Sequence, residues 1–192
     1  FGYACHNTTL GFFEFCGDYA GYAQEYFQAD YPGVTAMFVA GCGADQNPHP
    51  RREVKYVEQH GRNLATAVEA AVTANPKPVT GAIRCAMECV ELTRTGDSAG
   101  PYPYRVQVVR LGDSITLVAL PSEVVVDYSL RLKKELAGNG LVWVAGYSNG
   151  YFGYIPSRRI LEEGGYEAGP WEPSLEDRIV EKVHELNQNL SK

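Results

Sequence analysis

Long hydrophobic runs are missing from this sequence. No apolar stretch approaches the ~18 residues that a membrane-spanning helix needs. The first residues, F-G-Y-A-C-H, show neither the basic segment nor the apolar segment of a signal peptide. The sequence therefore predicts no transmembrane segment and gives no targeting address.

Basic residues are in the minority. The chain has 17 Lys and Arg against 23 Asp and Glu, a formal net charge of -6. Proteins that bind nucleic acid usually carry a basic patch or a high pI, so nucleic acid is not an expected partner. Of the 192 residues, 45% are hydrophobic and 21% are charged, which is ordinary for one globular domain with a core.

Cysteines are few. The five, at positions 5, 16, 42, 85 and 89, are too irregularly spaced for a disulfide framework, and the odd number leaves at least one thiol free. Cys85 and Cys89 would point to one face of a strand, which favours burial in the core over metal binding. Cysteine usage does not identify the compartment.

Strand patterns fill the middle of the chain, with helical patterns on either side. Gly112-Asp113 predicts a hairpin, and Leu141–Ala145 has the length of a buried strand. Helices are predicted over 18–30, 53–74, 122–136 and 175–190. Asp18 is the expected N-cap of the first, and the third has Ser122 as cap and Glu123 in its first turn. Further strands are predicted over 1–5, 34–40, 79–95, 104–109 and 114–120. We therefore predict an α/β fold, a mixed β-sheet core with covering helices in a single domain.

Two polar loops follow predicted strands. The first, 146–167, holds four tyrosines, and turn signals place Tyr151, Tyr154 and Tyr166 on loop backbone. The second, 41–52, reads G-C-G-A-D-Q-N-P-H-P-R-R and carries Asp45, Gln46, Asn47 and His49. It matches neither the dinucleotide fingerprint nor the P-loop, although an anion-binding module built on it remains an alternative. His6 follows the predicted strand 1–5, a position where open α/β sheets place their sites.

Three segments carry a family resemblance. F-G-Y-A-C-H-N-T-T-L, L-P-S-E-V-V-V-D-Y and G-Y-S-N-G-Y-F-G-Y-I-P-S, the last followed by Y-E, occur in the order found in neutral and alkaline non-lysosomal ceramidases and their bacterial relatives. The chain resembles the later part of that family's catalytic domain, over residues 1–192. In the family, zinc is bound by two histidines, a glutamate and a tyrosine. The resemblance implies His6 as the second histidine, with Glu123 and Tyr154 as further ligands.

A second family tyrosine, which is catalytic and lies twelve residues further along the motif, corresponds to Tyr166. The family loop G-D-x-S-P-N appears here as G-A-D-Q-N-P, so Asn47 stands at the position of the proposed catalytic serine, and Asp45 lies beside it. We include Asp45 and Asn47 among the candidate catalytic residues. The family's first zinc-binding histidine belongs to an upstream part that is expected to be absent here. With His6, Glu123 and Tyr154 alone, the isolated chain is expected to hold zinc weakly or not at all, unless Asp45 or His49 completes the shell.

The resemblance implies a zinc-dependent amidohydrolase that cleaves the N-acyl amide bond of ceramide or a related N-acyl compound. Its expected partner is a small-molecule or lipid N-acyl substrate, in sphingolipid metabolism, and a secreted or periplasmic location is expected from the family alone. The alternative is a catalytically incomplete fragment or a non-catalytic binding module of the same fold. The sequence identifies neither the true substrate nor the oligomeric state.

Overall fold

The computed structural model describes residues 1–138 and 140–191. Helices and a mixed sheet confirm the predicted α/β class. Contacts divide the chain into two compact units. Unit 1 comprises Phe1–Ala40 and Gln46–Pro78, and unit 2 comprises Gly41–Asp45 and Val79–Lys192.

Unit 1 is built on two helices and a short parallel strand pair. In chain order its elements are β1 (Gly2–Tyr3), α1 (Asp18–Asp30), β2 (Val39–Ala40) and α2 (Val54–Thr73). The helices approach closely at Gly61 of α2, where an added Cβ would lie 2.5 Å from Tyr22 Cβ of α1. Glycine is therefore required here for packing.

Two predictions for unit 1 were wrong in detail. Asp18 is not the N-cap but the first residue of α1, with Gly17 preceding it. The buried strand predicted over 34–40 shortens to Val39–Ala40, and Met37 is exposed. The physical reason is that the ladder partner β1 is only two residues long, so the earlier residues have no strand to pair with.

Unit 2 contains the main sheet, in which the neighbouring strands are β3 (Ile83–Arg94), β4 (Gly100–Leu111), β5 (Ile115–Ala119) and β7 (Leu141–Ala145), in that order. The first three strands are antiparallel neighbours, whereas β5 and β7 run parallel. The Gly112-Asp113 hairpin is confirmed between β4 and β5. The elements are β3 (Ile83–Arg94), a 3₁₀ turn (Gly96–Ser98), β4 (Gly100–Leu111), β5 (Ile115–Ala119), β6 (Glu123–Val124), α3 (Val126–Glu135), β7 (Leu141–Ala145), β8 (Tyr154–Ile155), α4 (Arg158–Glu163) and α5 (Leu175–Leu190).

Helix α5 packs against β3 and β4, and the core of unit 2 lies on that face. Its apolar side chains alternate along the strands, as they must when one sheet face is covered. Cys85 and Cys89 do share a face of β3, but both are exposed, so the prediction of core burial was wrong. Burial depends on which face α5 covers, and these thiols lie on the other one.

The helix predicted over 122–136 starts later than expected. It begins at Val126, and Glu123 lies in the two-residue strand β6 rather than in a first helical turn. A residue far away in sequence fixes this start, because Asp45 Oδ1 accepts a hydrogen bond of 2.8 Å from the Val126 amide. Glu123 therefore does not serve to complement the helix dipole.

The sequence interpretation missed helix α4 inside the tyrosine-rich loop. Ser157 caps it by accepting a hydrogen bond of 3.3 Å from the Ile160 amide, and Gly164 ends it with φ 69. A serine before the first turn and a glycine after the last turn are usual signals for the two ends of a helix, so the sequence could have predicted this helix. Among the described residues, no helix is both long enough and apolar enough to cross a membrane.

Candidate active site

The candidate site of unit 2 lies beyond the carboxyl ends of the parallel strands β5 and β7. The strands end in register at Ala119 and Ala145. The chain segments that follow them stay paired, because the Leu120 amide donates to Ala145 O over 2.9 Å and the Ser148 amide donates to Leu120 O over 3.0 Å. Open α/β sheets place binding sites at this edge.

Further along, β6 and β8 pair in parallel, and the register sets Glu123 opposite Tyr154. The Glu123 amide donates to Gly153 O over 2.9 Å. Gly153 has φ 113, a conformation that side-chain-bearing residues rarely adopt. Residues opposite each other on neighbouring strands project to the same face. The backbone therefore brings the two predicted zinc ligands of unit 2 together.

Two buried tyrosines fix the backbone on either side of this pair. Tyr104 Oη donates to Pro121 O over 2.9 Å, and Tyr128 Oη donates to Pro156 O over 2.9 Å. Both side chains are fully buried, and burial raises the pKa of each phenol well above its ordinary value. The hydroxyls remain protonated donors as a result.

Ser122 anchors the tyrosine-rich loop to β6. It is buried, with φ 70, and its Oγ accepts a hydrogen bond of 2.8 Å from the Phe152 amide. Its carbonyl accepts from the Tyr147 amide over 2.9 Å. The sequence suggested a helix cap at Ser122, whereas the structure uses this serine to hold the loop across the site.

The carboxylate of Glu123 is surrounded by phenols. Tyr151 Oη donates to Glu123 Oε1 over 2.9 Å, and Tyr147 Oη donates to Oε2 over 3.4 Å. Tyr154 lies opposite Glu123 in the β6–β8 pair, and the carboxylate is close enough to raise the pKa of its phenol. Sequence reasoning singled out Tyr151 and Tyr154 but gave Tyr147 no role, although its position two residues after the end of β7 was an available signal.

The surroundings of the three phenols raise their pKa values. Burial and the nearby Glu123 carboxylate raise the pKa of Tyr154 to about 12. The same two causes raise the pKa of Tyr147, and the hydrogen bond to Glu123 raises the pKa of Tyr151. A negative charge disfavours a second one beside it, so all three phenols are neutral donors at neutral pH.

Tyr166 lies next to this cluster without being part of its hydrogen bonding to Glu123. Its ring meets the Tyr154 ring edge-on, with 5.6 Å between centroids. The side chain is 85% exposed. Its phenol is therefore available to a molecule that approaches from solvent.

An aromatic group holds the backbone of Tyr154. Trp171 is buried, and its Nε1 donates to Tyr154 O over 3.1 Å. The Trp171 ring packs edge-on against Phe152 and Tyr102, and the Arg94 guanidinium lies 5.0 Å from the Phe152 ring centre. Sequence reasoning passed over the G-P-W-E-P segment, in which a tryptophan between two prolines was the available signal.

Comparison with protein-family profiles and with curated protein sequences gives no match. The fold matches that of neutral ceramidase. Neutral ceramidase from Pseudomonas aeruginosa superposes with a TM-score of 0.77 and 17% sequence identity over 96% of this chain. A ceramidase complexed with C2 gives 0.75 and 16%, also over 96% of the chain. The chain spans 42% and 45% of the lengths of these two proteins, and at such low sequence identity the likeness shows the fold alone.

The other residues singled out with the ceramidase resemblance serve visible structural purposes. Asp45, in unit 2, holds the start of α3 through the Val126 amide. Asn47, in unit 1, accepts hydrogen bonds at Oδ1 from Thr8 Oγ1 over 3.2 Å and from Arg51 Nη1 over 3.1 Å. The His6 amide, also in unit 1, donates to Gln46 O over 3.0 Å. The zinc-ligand role of His6 and the catalytic roles of Asp45 and Asn47 stay predictions.

The donor set of unit 2 suits the metal that the ceramidase resemblance implies. Glu123 and Tyr154 offer a carboxylate and a phenol oxygen from opposite positions of the β6–β8 pair. Oxygen donors of this kind, together with imidazole nitrogen, are ligands that zinc accepts. No three His, Cys, Asp or Glu side chains within 1–138 and 140–191 are grouped so that they could hold a metal ion.

Proposed function

We propose that this chain carries part of the active site of a zinc-dependent amide hydrolase, which cleaves the N-acyl amide bond of ceramide or a related N-acyl compound. The observation that carries the proposal is the Glu123 carboxylate, which lies opposite Tyr154 and accepts hydrogen bonds from Tyr147 and Tyr151. A carboxylate that only interacted with the helix dipole would not need tyrosine hydroxyls around it.

The position of Glu123 supports a chemical role. It lies in β6, three residues before α3 begins, and therefore gains nothing from the helix dipole. The loop around it contains several residues with positive φ, among them Tyr147 at 54° and Asn149 at 64°. Strained backbone of this kind persists where the surroundings enforce it and often accompanies function. The fold that the chain shares with neutral ceramidase also supports a chemical role for Glu123.

Under this proposal, Glu123 and Tyr154 would be the zinc ligands that unit 2 supplies. When bound, zinc lowers the pKa of a coordinated water to about 7 and so supplies a nucleophile for an amide carbonyl at neutral pH. A cation next to Tyr154 also opposes the effect of Glu123 on its pKa, because positive charge favours the phenolate.

The remaining tyrosines have separate tasks in the proposal. Tyr147 and Tyr151 each donate to a different oxygen of Glu123, which fixes the orientation of the carboxylate. Tyr166 presents an exposed phenol beside Tyr154 and donates a hydrogen bond to the carbonyl oxygen of the scissile amide as negative charge develops on it. A single donor of this kind contributes roughly 2.7 to 4 kcal/mol to transition-state stabilisation.

The test separates Tyr154 from Tyr166 in the full-length gene product. Zinc content is measured by atomic emission, and amide hydrolysis is followed with an N-acyl sphingosine bearing a fluorescent acyl group. Tyr154→Phe should lower the zinc content. Tyr166→Phe should keep the zinc and lower kcat by about 100-fold or more, because it removes an interaction made only in the transition state.

Tyr56→Phe is the matched control, since Tyr56 lies on α2 in unit 1, and it should change neither quantity. Equal loss of zinc in the Tyr154 and Tyr166 variants would refute the division of roles. A full-length protein that neither retains zinc nor hydrolyses the amide would favour the alternative, a non-catalytic module of the same fold.

A further inference from the structure

The loop between Leu10 and Asp18 of unit 1 exposes three phenylalanines close together in sequence. Phe12, Phe13 and Phe15 are 47%, 108% and 112% exposed, and they are three of the seven phenylalanines in the chain. Single exposed apolar residues are common on protein surfaces, but adjacent ones usually mark an interaction site.

The base of this loop is held firmly while its tip projects. The buried carboxylate of Asp18 accepts hydrogen bonds from the Thr9 amide over 3.1 Å and from the Leu10 amide over 2.9 Å. The Asp18 amide in turn interacts with Cys16 Sγ over 3.3 Å. One side chain therefore closes both ends of the loop, and residues 11–15 are left outside the packed part of unit 1.

Basic side chains lie beside the base. The Arg52 amide donates to Thr9 O over 2.6 Å, and the Arg52 guanidinium contacts Gly11, where an added Cβ would lie 2.0 Å from Nη1. Arg51 precedes it and is also exposed. The protein as a whole is acidic, with a net charge of -6, so two arginines next to exposed phenylalanines differ from its average surface charge. Glu14 is the one acidic residue within residues 11–15.

We infer that the tip formed by Phe12, Phe13 and Phe15 inserts into a lipid surface, with Arg51 and Arg52 contacting anionic headgroups. Apolar side chains that enter the headgroup region and basic residues that face anionic lipid are the two components of interfacial binding. The inference stands on this loop and does not require the proposed amide hydrolysis.

The size of the tip favours a lipid surface over a protein partner. Three phenylalanine side chains bury about 450 to 750 Å² when covered completely, at about 150 to 250 Å² each. A protein interface of standard size buries about 800 Å² on each partner, which is more than the three rings supply. A bilayer accepts the side chains individually and needs no complementary surface.

The first measurement is sedimentation of the full-length gene product with vesicles of phosphatidylcholine alone, or with about one-third phosphatidylserine, which supplies the anionic surface. Wild-type protein should bind the mixed vesicles more tightly, and high salt should weaken that binding because it screens the arginines. Phe13→Ser with Phe15→Ser should weaken binding by about tenfold or more per side chain. Glu14→Gln should strengthen it.

Leu130 provides the control, because its side chain is 61% exposed on α3 of unit 2, next to Arg131. Leu130→Ser should bind vesicles as the wild type does. A second readout uses Phe13→Trp, whose difference fluorescence from the parent should shift to the blue on mixed vesicles, while that of Leu130→Trp should not.

Three results would overturn the inference: wild-type protein that binds neither kind of vesicle, serine variants that bind as well as wild type, or a Phe13→Trp spectrum that is already blue-shifted without lipid. The last would mean that the tip is covered by protein, from another segment or a second copy.

Discussion

The hydroxyl of Tyr128 gives the most direct test of how the candidate site is held in place. Tyr128 is fully buried on α3 and donates to Pro156 O, immediately after β8, which carries Tyr154. Tyr128→Phe removes one oxygen atom, leaves the ring in place and deprives a carbonyl of its donor. Leaving a buried polar group unsatisfied costs about 1 to 3 kcal/mol, so the free energy of unfolding of unit 2 should fall by that amount.

Unfolding in urea, followed by tryptophan fluorescence, measures this loss. Both tryptophans, Trp143 and Trp171, belong to unit 2, so the signal reports that unit. With a slope of about 2 kcal/mol per molar urea, the midpoint should fall by about 0.5 to 1.5 M at an unchanged slope. Tyr166→Phe, which alters an exposed phenol, should stay within about 0.5 kcal/mol of wild type. If Tyr128→Phe unfolds at the wild-type urea concentration, the hydrogen bond to Pro156 is not what holds this segment.

Three further predictions concern one titration, one thiol and one helix contact. Glu123→Gln removes a charge that helps to raise the pKa of Tyr154 to about 12, so the pKa of Tyr154 should fall. NMR of tyrosine labelled at Cζ measures this pKa, and an unchanged value would assign the shift to burial alone. Burial raises the pKa of Cys42 to about 12, so its thiol should react with Ellman's reagent only after unfolding, and rapid labelling in the folded protein would contradict its burial. Gly61→Ala should destabilise unit 1 by about 1 to 3 kcal/mol in thermal unfolding followed by circular dichroism, because the added Cβ would lie 2.5 Å from Tyr22 Cβ. Gly21→Ala on α1, with open space around its Cβ position, is its control, and equal stability of the two variants would argue against the close helix contact.

The amino-acid sequence by itself determined the features that depend on local chemistry. Gly112-Asp113 predicted a hairpin, which the antiparallel β4 and β5 confirm, because a tight turn needs these residue types wherever it occurs. The last helix was predicted over 175–190 and lies at Leu175–Leu190, since its apolar period and its end signals are all local. The apolar run Leu141–Ala145 predicts a strand, and β7 has the same bounds.

Only the tertiary structure decided features that depend on a distant partner. Glu123 lies in a strand because Gly153 and Tyr154 pair with it and because Asp45 sets the start of α3, and none of these three is its neighbour in sequence. Cys85 and Cys89 are exposed because α5 covers the other face of β3, which the alternation along one strand cannot indicate. The phenols around Glu123 likewise come from a loop more than twenty residues away, and it is their shared contact with one carboxylate, rather than their number in the sequence, that makes this part of the chain a candidate site.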